Sequence, residues 1–213
     1  ANVAVTEAAA TDLGASTVSG TFGVTSTGAV TDSGTLAITG ATTISASGQD
    51  ITLSDAASTF GTISLTGANV AVTEAAATDL GASTVSGTFG VTSTGAVTDS
   101  GTLAITGATT ISASGQDITF DEAASTFGTI SLTGANVAVT EAAATDLGAS
   151  TVSGTFGVTS TGAVTDSGTL AITGATTINA SGQDITLSEA ASTFGTISLT
   201  GANVAVTEAA ATD

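Results

Sequence analysis

The chain contains no lysine, arginine, histidine, cysteine, proline, methionine, tryptophan or tyrosine. Each absence removes a class of chemistry. With no basic side chain against 18 acids, the formal net charge is −18. Nothing in the chain can neutralise phosphates, which excludes nucleic acid as a partner, and an anionic membrane surface would repel it. Without cysteine there are neither disulfides nor thiolate metal sites. Serine and threonine are plentiful, but a serine nucleophile needs a base, and no histidine or lysine exists to serve. No apolar run reaches the roughly 18 residues of a membrane span. No charged segment followed by an apolar one marks a signal peptide. The start at Ala1, with no methionine, reads as a window cut from a longer chain that is expected to continue at both ends.

What is present is a repeat. Charged residues make up 8% of the chain and hydrophobic ones 41%, with Val, Ile and Leu regularly spaced, which is not a disordered composition. A 67-residue unit beginning at Ala1 restarts at Ala68, Ala135 and Ala202. The domain reading is therefore three units, 1–67, 68–134 and 135–201, with 202–213 opening a fourth, all in one continuous body. The units differ at four positions only. Ser45 and Ser112 become Asn179; Leu53 becomes Phe120 and returns as Leu187; Ser54 becomes Asp121 and returns as Ser188; Asp55 becomes Glu122 and Glu189.

Within each unit an acid recurs at intervals of 20, 23 and 24 residues. The series is Asp12, Asp32, Asp55, Asp79, Asp99, Glu122, Asp146, Asp166, Glu189 and Asp213. Between successive acids lie short alternating apolar pairs such as Phe22 and Val24, Leu36 and Ile38, Ile51 and Leu53, separated by Gly-containing corners. Gly20, Gly40 and Gly67, each following Ser or Thr, act as a second set of markers. The pattern predicts an all-β chain folded as a parallel β-solenoid (β-helix). Each coil has about 22 residues and three short strands, with three coils per unit and an advance of about 14 Å per unit.

The acid series is the only candidate site. Carboxylates stacked about 4.8 Å apart would repel by roughly 1 kcal/mol even at the dielectric of water, so something must relieve them. Two readings stay open: solvated corner residues, or a calcium ladder formed by all ten acids. No other cofactor is expected. Glu7, Glu74, Glu141 and Glu208, and likewise Asp50, Asp117 and Asp184, recur once per unit and read as surface residues that confer solubility. Acid pairs can hydrolyse glycosides, but such enzymes differentiate one cleft, and near-identical units offer none. No enzymatic activity is expected.

Three segments carry a resemblance: Gly28 to Leu36 (Gly-Ala-Val-Thr-Asp-Ser-Gly-Thr-Leu), Ser47 to Leu53 (Ser-Gly-Gln-Asp-Ile-Thr-Leu) and Ser64 to Val70 (Ser-Leu-Thr-Gly-Ala-Asn-Val). Their repeat style is similar to that of filamentous-haemagglutinin-like bacterial exoproteins, across the whole chain and without a catalytic motif. The resemblance implies secretion to the cell surface, a β-helical shaft and a part in adhesion or fibre building. The expected role is a structural shaft segment of a long surface adhesin or extracellular fibre. The alternative is a binding module whose repetitive surface takes calcium, glycan or further copies of itself. Implied partners are a receptor or glycan on a host or neighbouring cell, and end-to-end or lateral self-association, with no membrane insertion by this segment.

Overall fold

Residues that alternate Val, Ile or Leu with Thr, Ser or Ala form strands when one face can be buried and the other wetted. The computed structural model, which describes residues 1–209, carries this out in every unit. In the strand Val70–Glu74, for example, Val70, Val72 and Glu74 are buried while Ala71 is exposed and Thr73 half-exposed. All regular elements among the described residues are strands, and the pairings between them are parallel. The fold is a parallel β-solenoid, as the sequence predicts, and it makes about 11 turns.

Each turn contributes one strand to each of two large parallel sheets. The first sheet begins Val3–Glu7, Phe22–Ser26, Thr42–Ser45, Thr62–Gly67; the second begins Thr11–Leu13, Val30–Asp32, Ile51–Leu53, Val70–Glu74. Most turns add a third short strand or bridge, as where Ser16–Val18 pairs with Leu36–Ile38 and Ala37 then bridges to Thr59. The inward Val, Ile, Leu and Phe side chains form one core running through all three units.

The pitch of the coil is finer than the acid spacing implies. Val3 pairs with Phe22, Phe22 with Thr42, and Thr42 with Ile63. Three turns thus reach Ile63, and the next few residues carry the chain across to Val70 on the other sheet. The unit is three and a half turns, not three, and each turn takes about 19 residues. The same Val-Ala-Val segment therefore lies in the first sheet at Val3–Glu7, the second at Val70–Glu74, the first at Val137–Glu141 and the second at Val204–Val206. At the usual strand spacing a unit advances the rod about 17 Å rather than about 14 Å.

Two kinds of corner make the coil close. At Gly48, Gly115 and Gly182 the backbone takes φ of 76°, 74° and 80°, the left-handed region that costs a glycine nothing. The other kind is a close approach between coils. A Cβ on Gly40 would strike the carbonyl of Gly20 directly beneath it, and one on Gly61 would stand 2.6 Å from the Thr39 carbonyl oxygen. Gly61, rather than Gly67, thus continues the Gly20–Gly40 column, whereas Gly67 is buried within a strand and pairs with Val85. The third coil therefore closes at Gly61, six residues before Gly67.

One irregularity recurs. The strand Thr62–Gly67 carries two short strands above it, with Thr62 opposite Asp79, Ile63 opposite Leu80, Thr66 opposite Thr84 and Gly67 opposite Val85. Ser64 and Leu65 therefore face three residues, Gly81, Ala82 and Ser83, which is a bulge. The Leu65 amide loses its backbone acceptor there and donates instead to Ser83 Oγ at 3.0 Å, while that hydroxyl donates to the Gly81 carbonyl at 2.8 Å. The same repair recurs at Leu132 and Ser150, at 3.0 Å.

Candidate functional site: acidic triplets and buried glutamates

The half turn breaks the acid ladder. Asp12, Asp32 and Asp55 lie along the second sheet; Asp79, Asp99 and Glu122 along the first; Asp146, Asp166 and Glu189 along the second again. Asp213 lies outside the described residues. The ten-acid column expected from spacing is thus separate triplets on alternating sides of the rod. Within a triplet the acids do not stack either. Asp12 stands opposite Thr31, whereas Asp32 stands opposite the buried Leu13, so the two side chains leave the sheet on opposite faces.

Each place in the triplet has its own hydrogen bonds. The first acid takes hydroxyls from neighbouring coils: Asp79 Oδ2 accepts from Thr62 Oγ1 at 2.7 Å and Ser100 Oγ at 2.9 Å, and Asp146 Oδ2 from Thr129 Oγ1 at 2.7 Å and Ser167 Oγ at 2.8 Å. The second acid caps backbone of the next coil. Asp32 accepts from the amides of Ser54 at 2.7 Å and Asp55 at 3.1 Å; Asp166 does the same for Ser188 at 2.6 Å and Glu189 at 3.2 Å. In the first triplet the third acid, Asp55, closes its own corner on the Ala57 amide at 2.9 Å. Hydrogen bonds of this kind hold the charged form of a carboxylate and offset the repulsion that stacking would have produced. Among the described residues, no group of three or more acids converges in a way that could hold a metal ion.

Asp99 differs from Asp32 and Asp166. It is buried, as Asp166 is, but only its Oδ1 is bonded, to the Asp121 amide at 2.9 Å, and its Oδ2 has no partner. Burial raises its pKa above the ordinary aspartate value, and the charges of Asp121 and Glu122 push the same way, against the opposing pull of the Asp121 and Glu122 amides. The substitution that distinguishes this unit adds to the effect of burial. Ser54 and Ser188 add hydroxyl contacts to Asp32 and Asp166 at 3.4 and 3.3 Å, and Asp121 supplies a charge where they supply a donor.

The set expected on the surface includes two of the most buried acids in the chain. Glu74 and Glu141 are each 1% exposed. Oε1 of Glu74 accepts from the Phe60 amide at 2.7 Å, and that of Glu141 from the Phe127 amide at 2.8 Å. In both, Oε2 is buried with no partner, as are the hydroxyls of the neighbouring Thr78 and Thr145. Burial raises both pKa values above the usual glutamate range, and the Phe60 or Phe127 amide pulls them partly back. Strand phase explains the correction: Glu74 follows Val70 and Val72 at intervals of two, so a strand that buries the valines must bury the glutamate. The same pattern was present in the sequence. Glu7, on the first coil, is exposed.

Asp50, Asp117 and Asp184 are exposed, as expected, and do structural work as well. Asp50 Oδ1 accepts from the amide of Asn69 at 3.1 Å and its Nδ2 at 2.9 Å. Asn69 Oδ1 in turn accepts from the Thr88 amide at 3.0 Å, so one polar clip spans three coils. Asp117, Asn136 and Thr155 repeat it.

The 67-residue period has a counterpart among known sequences: a family described as repeats of unknown function (DUF5649) matches residues 1–66, 67–133 and 134–201. The chain belongs to the DUF5649 repeat family. Its three matches end within a residue of the units read from the sequence, so one DUF5649 repeat is the three-and-a-half-turn block described above. No curated protein and no solved structure matches the chain.

Proposed function

We propose that this chain is a non-catalytic shaft segment of a long bacterial surface adhesin or extracellular fibre, of the filamentous-haemagglutinin-like style that its segments resemble. The observation that carries the reading is the continuity of the sheets across the unit junctions. The strand that opens each new unit, Val70–Glu74, Val137–Glu141 or Val204–Val206, pairs in parallel with the unit before it, at Ile51–Leu53, Ile118–Phe120 or Ile185–Leu187, by the same backbone ladder used within a unit. Length can therefore grow by whole units with no change to the core. Polar side chains also tie coil to coil, through the Asp32 and Asp166 caps and the Asp50–Asn69–Thr88 clip. Side chains of this kind resist extension along the axis, which suits a shaft. An extracellular or cell-surface location belongs to the same proposal, as does recognition of a receptor or glycan on another cell.

The test is length. Chains of three, six and nine units, measured by electron microscopy, should be straight rods that lengthen by about 17 Å per added unit. Bent or globular particles, or a length that does not scale with unit number, would overturn the shaft reading. Antibody labelling of intact source cells should find the chain outside, and labelling only after permeabilisation would refute the surface location.

A second reading is a surface that itself binds calcium, glycan or further copies of the chain. The observation that favours a trial with calcium is the single unpartnered Oδ2 of Asp99. Calorimetry with and without millimolar calcium tests it, and an unchanged melting temperature would remove it.

A further inference from the structure

Across three almost identical units, the few residues that differ are the places where one stretch of surface can become unlike the others. Two of those differences are far apart in sequence, Asp121 in the second unit and Asn179 in the third. The half-turn offset brings them to the same face. Phe120 pairs with Val139, which puts Asp121 level with Thr140; Thr140 pairs with Thr159, and Thr159 with Asn179. The column Asp121, Thr140, Thr159, Asn179 runs along the outside of the first sheet, its ends three coils apart, about 14 Å.

Beside this column the surface sinks into a shallow depression of about 290 Å³ lined by Asp121, Ala138, Thr140, Gly157, Thr159 and Asn179 among others. Phe120, a third unit-specific residue, lies under it, 1% exposed and stacked on Phe127 with ring centroids 5.8 Å apart. The floor is low because Gly157 lacks a side chain, although its position does not demand glycine. A Cβ there would meet nothing closer than the Val137 carbonyl oxygen at 3.7 Å, and its φ is not positive. The side chains of Asp121, Thr140, Thr159 and Asn179 make no hydrogen bond within the described chain, in contrast to the acids and asparagines of the inter-coil clips.

We propose that this depression is a binding site for a short neutral oligosaccharide. The proposal deepens the second reading above and locates it. The rim offers a carboxylate that only accepts, an amide that donates and accepts, and two hydroxyls that do both, which matches the alternating hydroxyls of a sugar chain. The flat floor of Ala138 and Gly157 leaves room for the apolar face of a ring. Charge decides against anionic glycans, since the chain carries −18 with no cation and Asp121 stands on the rim. A single metal ion cannot serve both ends, because calcium holds its ligands within about 2.6 Å. A peptide strand would add to a sheet edge rather than lie on this face.

The units supply their own controls. Serine stands at the matching places elsewhere, Ser54 and Ser188 for Asp121, and Ser45 and Ser112 for Asn179. The 213-residue chain is titrated with cellotriose, maltotriose and laminaritriose, with binding read from saturation transfer to the sugar and from the Asn179 side-chain amide resonance. At least one sugar should bind saturably at one site per chain. The double variant D121S/N179S should weaken it about tenfold or more, the equivalent of ~1.4 kcal/mol, with an unchanged melting temperature. The opposite exchange, S54D/S112N, builds the same column on the second sheet with Thr73 and Thr92, and should raise the stoichiometry to two. Absence of saturable binding with all three sugars, or equal binding by D121S/N179S, would overturn the site. Binding that survives that variant would still leave the chain a glycan binder elsewhere on its surface.

Discussion

Replacing Glu74 and Glu141 together by glutamine should remove a specific part of the chain's pH dependence. In the folded chain each carboxyl is 1% exposed, accepts one amide, and has no cation to face. No basic side chain exists anywhere to compensate a buried charge, so burial favours the protonated form and raises both pKa values. The folded state then holds protons that the unfolded state has released. A raised acid pKa makes its contribution in full below the unfolded value, near 4.5, and loses it as pH climbs from there through the folded pKa. Each unit of elevation is worth about 1.4 kcal/mol per site at pH values above both pKa values. Glutamine keeps the acceptor for the Phe60 and Phe127 amides and turns the orphaned oxygen into a donor facing the free Thr78 and Thr145 hydroxyls. E74Q/E141Q should therefore match the parent near pH 4 and exceed it at pH 7 by about 1–3 kcal/mol per site. Thermal melts followed by circular dichroism from pH 4 to 8 read this as the difference between the two chains, which cancels the repulsion among the other acids. At this chain length each kcal/mol shifts the melting temperature by about 2–4 °C. A difference that is flat across this range, or one that favours the parent at neutral pH, would refute the reasoning.

Two further perturbations separate packing from charge. Gly40→Ala drives a Cβ into the Gly20 backbone and should cost about 1–3 kcal/mol, whereas Gly23→Ala, whose Cβ would meet only the Val3 carbonyl oxygen at 3.9 Å, should be close to neutral. Equal melting temperatures for the two would contradict the close stacking of corners. Asp166→Ala leaves the Ser188 and Glu189 amides without their acceptor and should destabilise by about 1–3 kcal/mol, while Asp12→Ala, which loses one 3.3 Å contact from Thr31, should change urea stability little. Equal losses at the two positions would mean that the acids act as one equivalent ladder.

The strands and their inward residues were legible because a period of two survives any error in counting coils. Val70 and Val72 point inward whichever sheet they join. Coil number was less accessible. Acids at corners mark where the chain turns, and the step from Asp55 to Asp79 is one and a half turns rather than one, a difference that spacing alone does not reveal. The split of the ladder into triplets follows from that half turn and could not be read without it. The burial of Glu74 was within reach, since Val70, Val72 and Glu74 share one phase, although an acid that recurs once per unit reads first as a surface residue. The meeting of Asp121 with Asn179 needed the register itself.

A block that ends half a revolution from where it began makes the parity of the unit count a geometric variable. An even number of units returns whatever follows to the orientation of whatever precedes, and an odd number turns it to the opposite side of the rod. Gain or loss of a single unit would thus do more than change the length of the rod by about 17 Å, since it would also reverse the side of the rod on which its last coil ends.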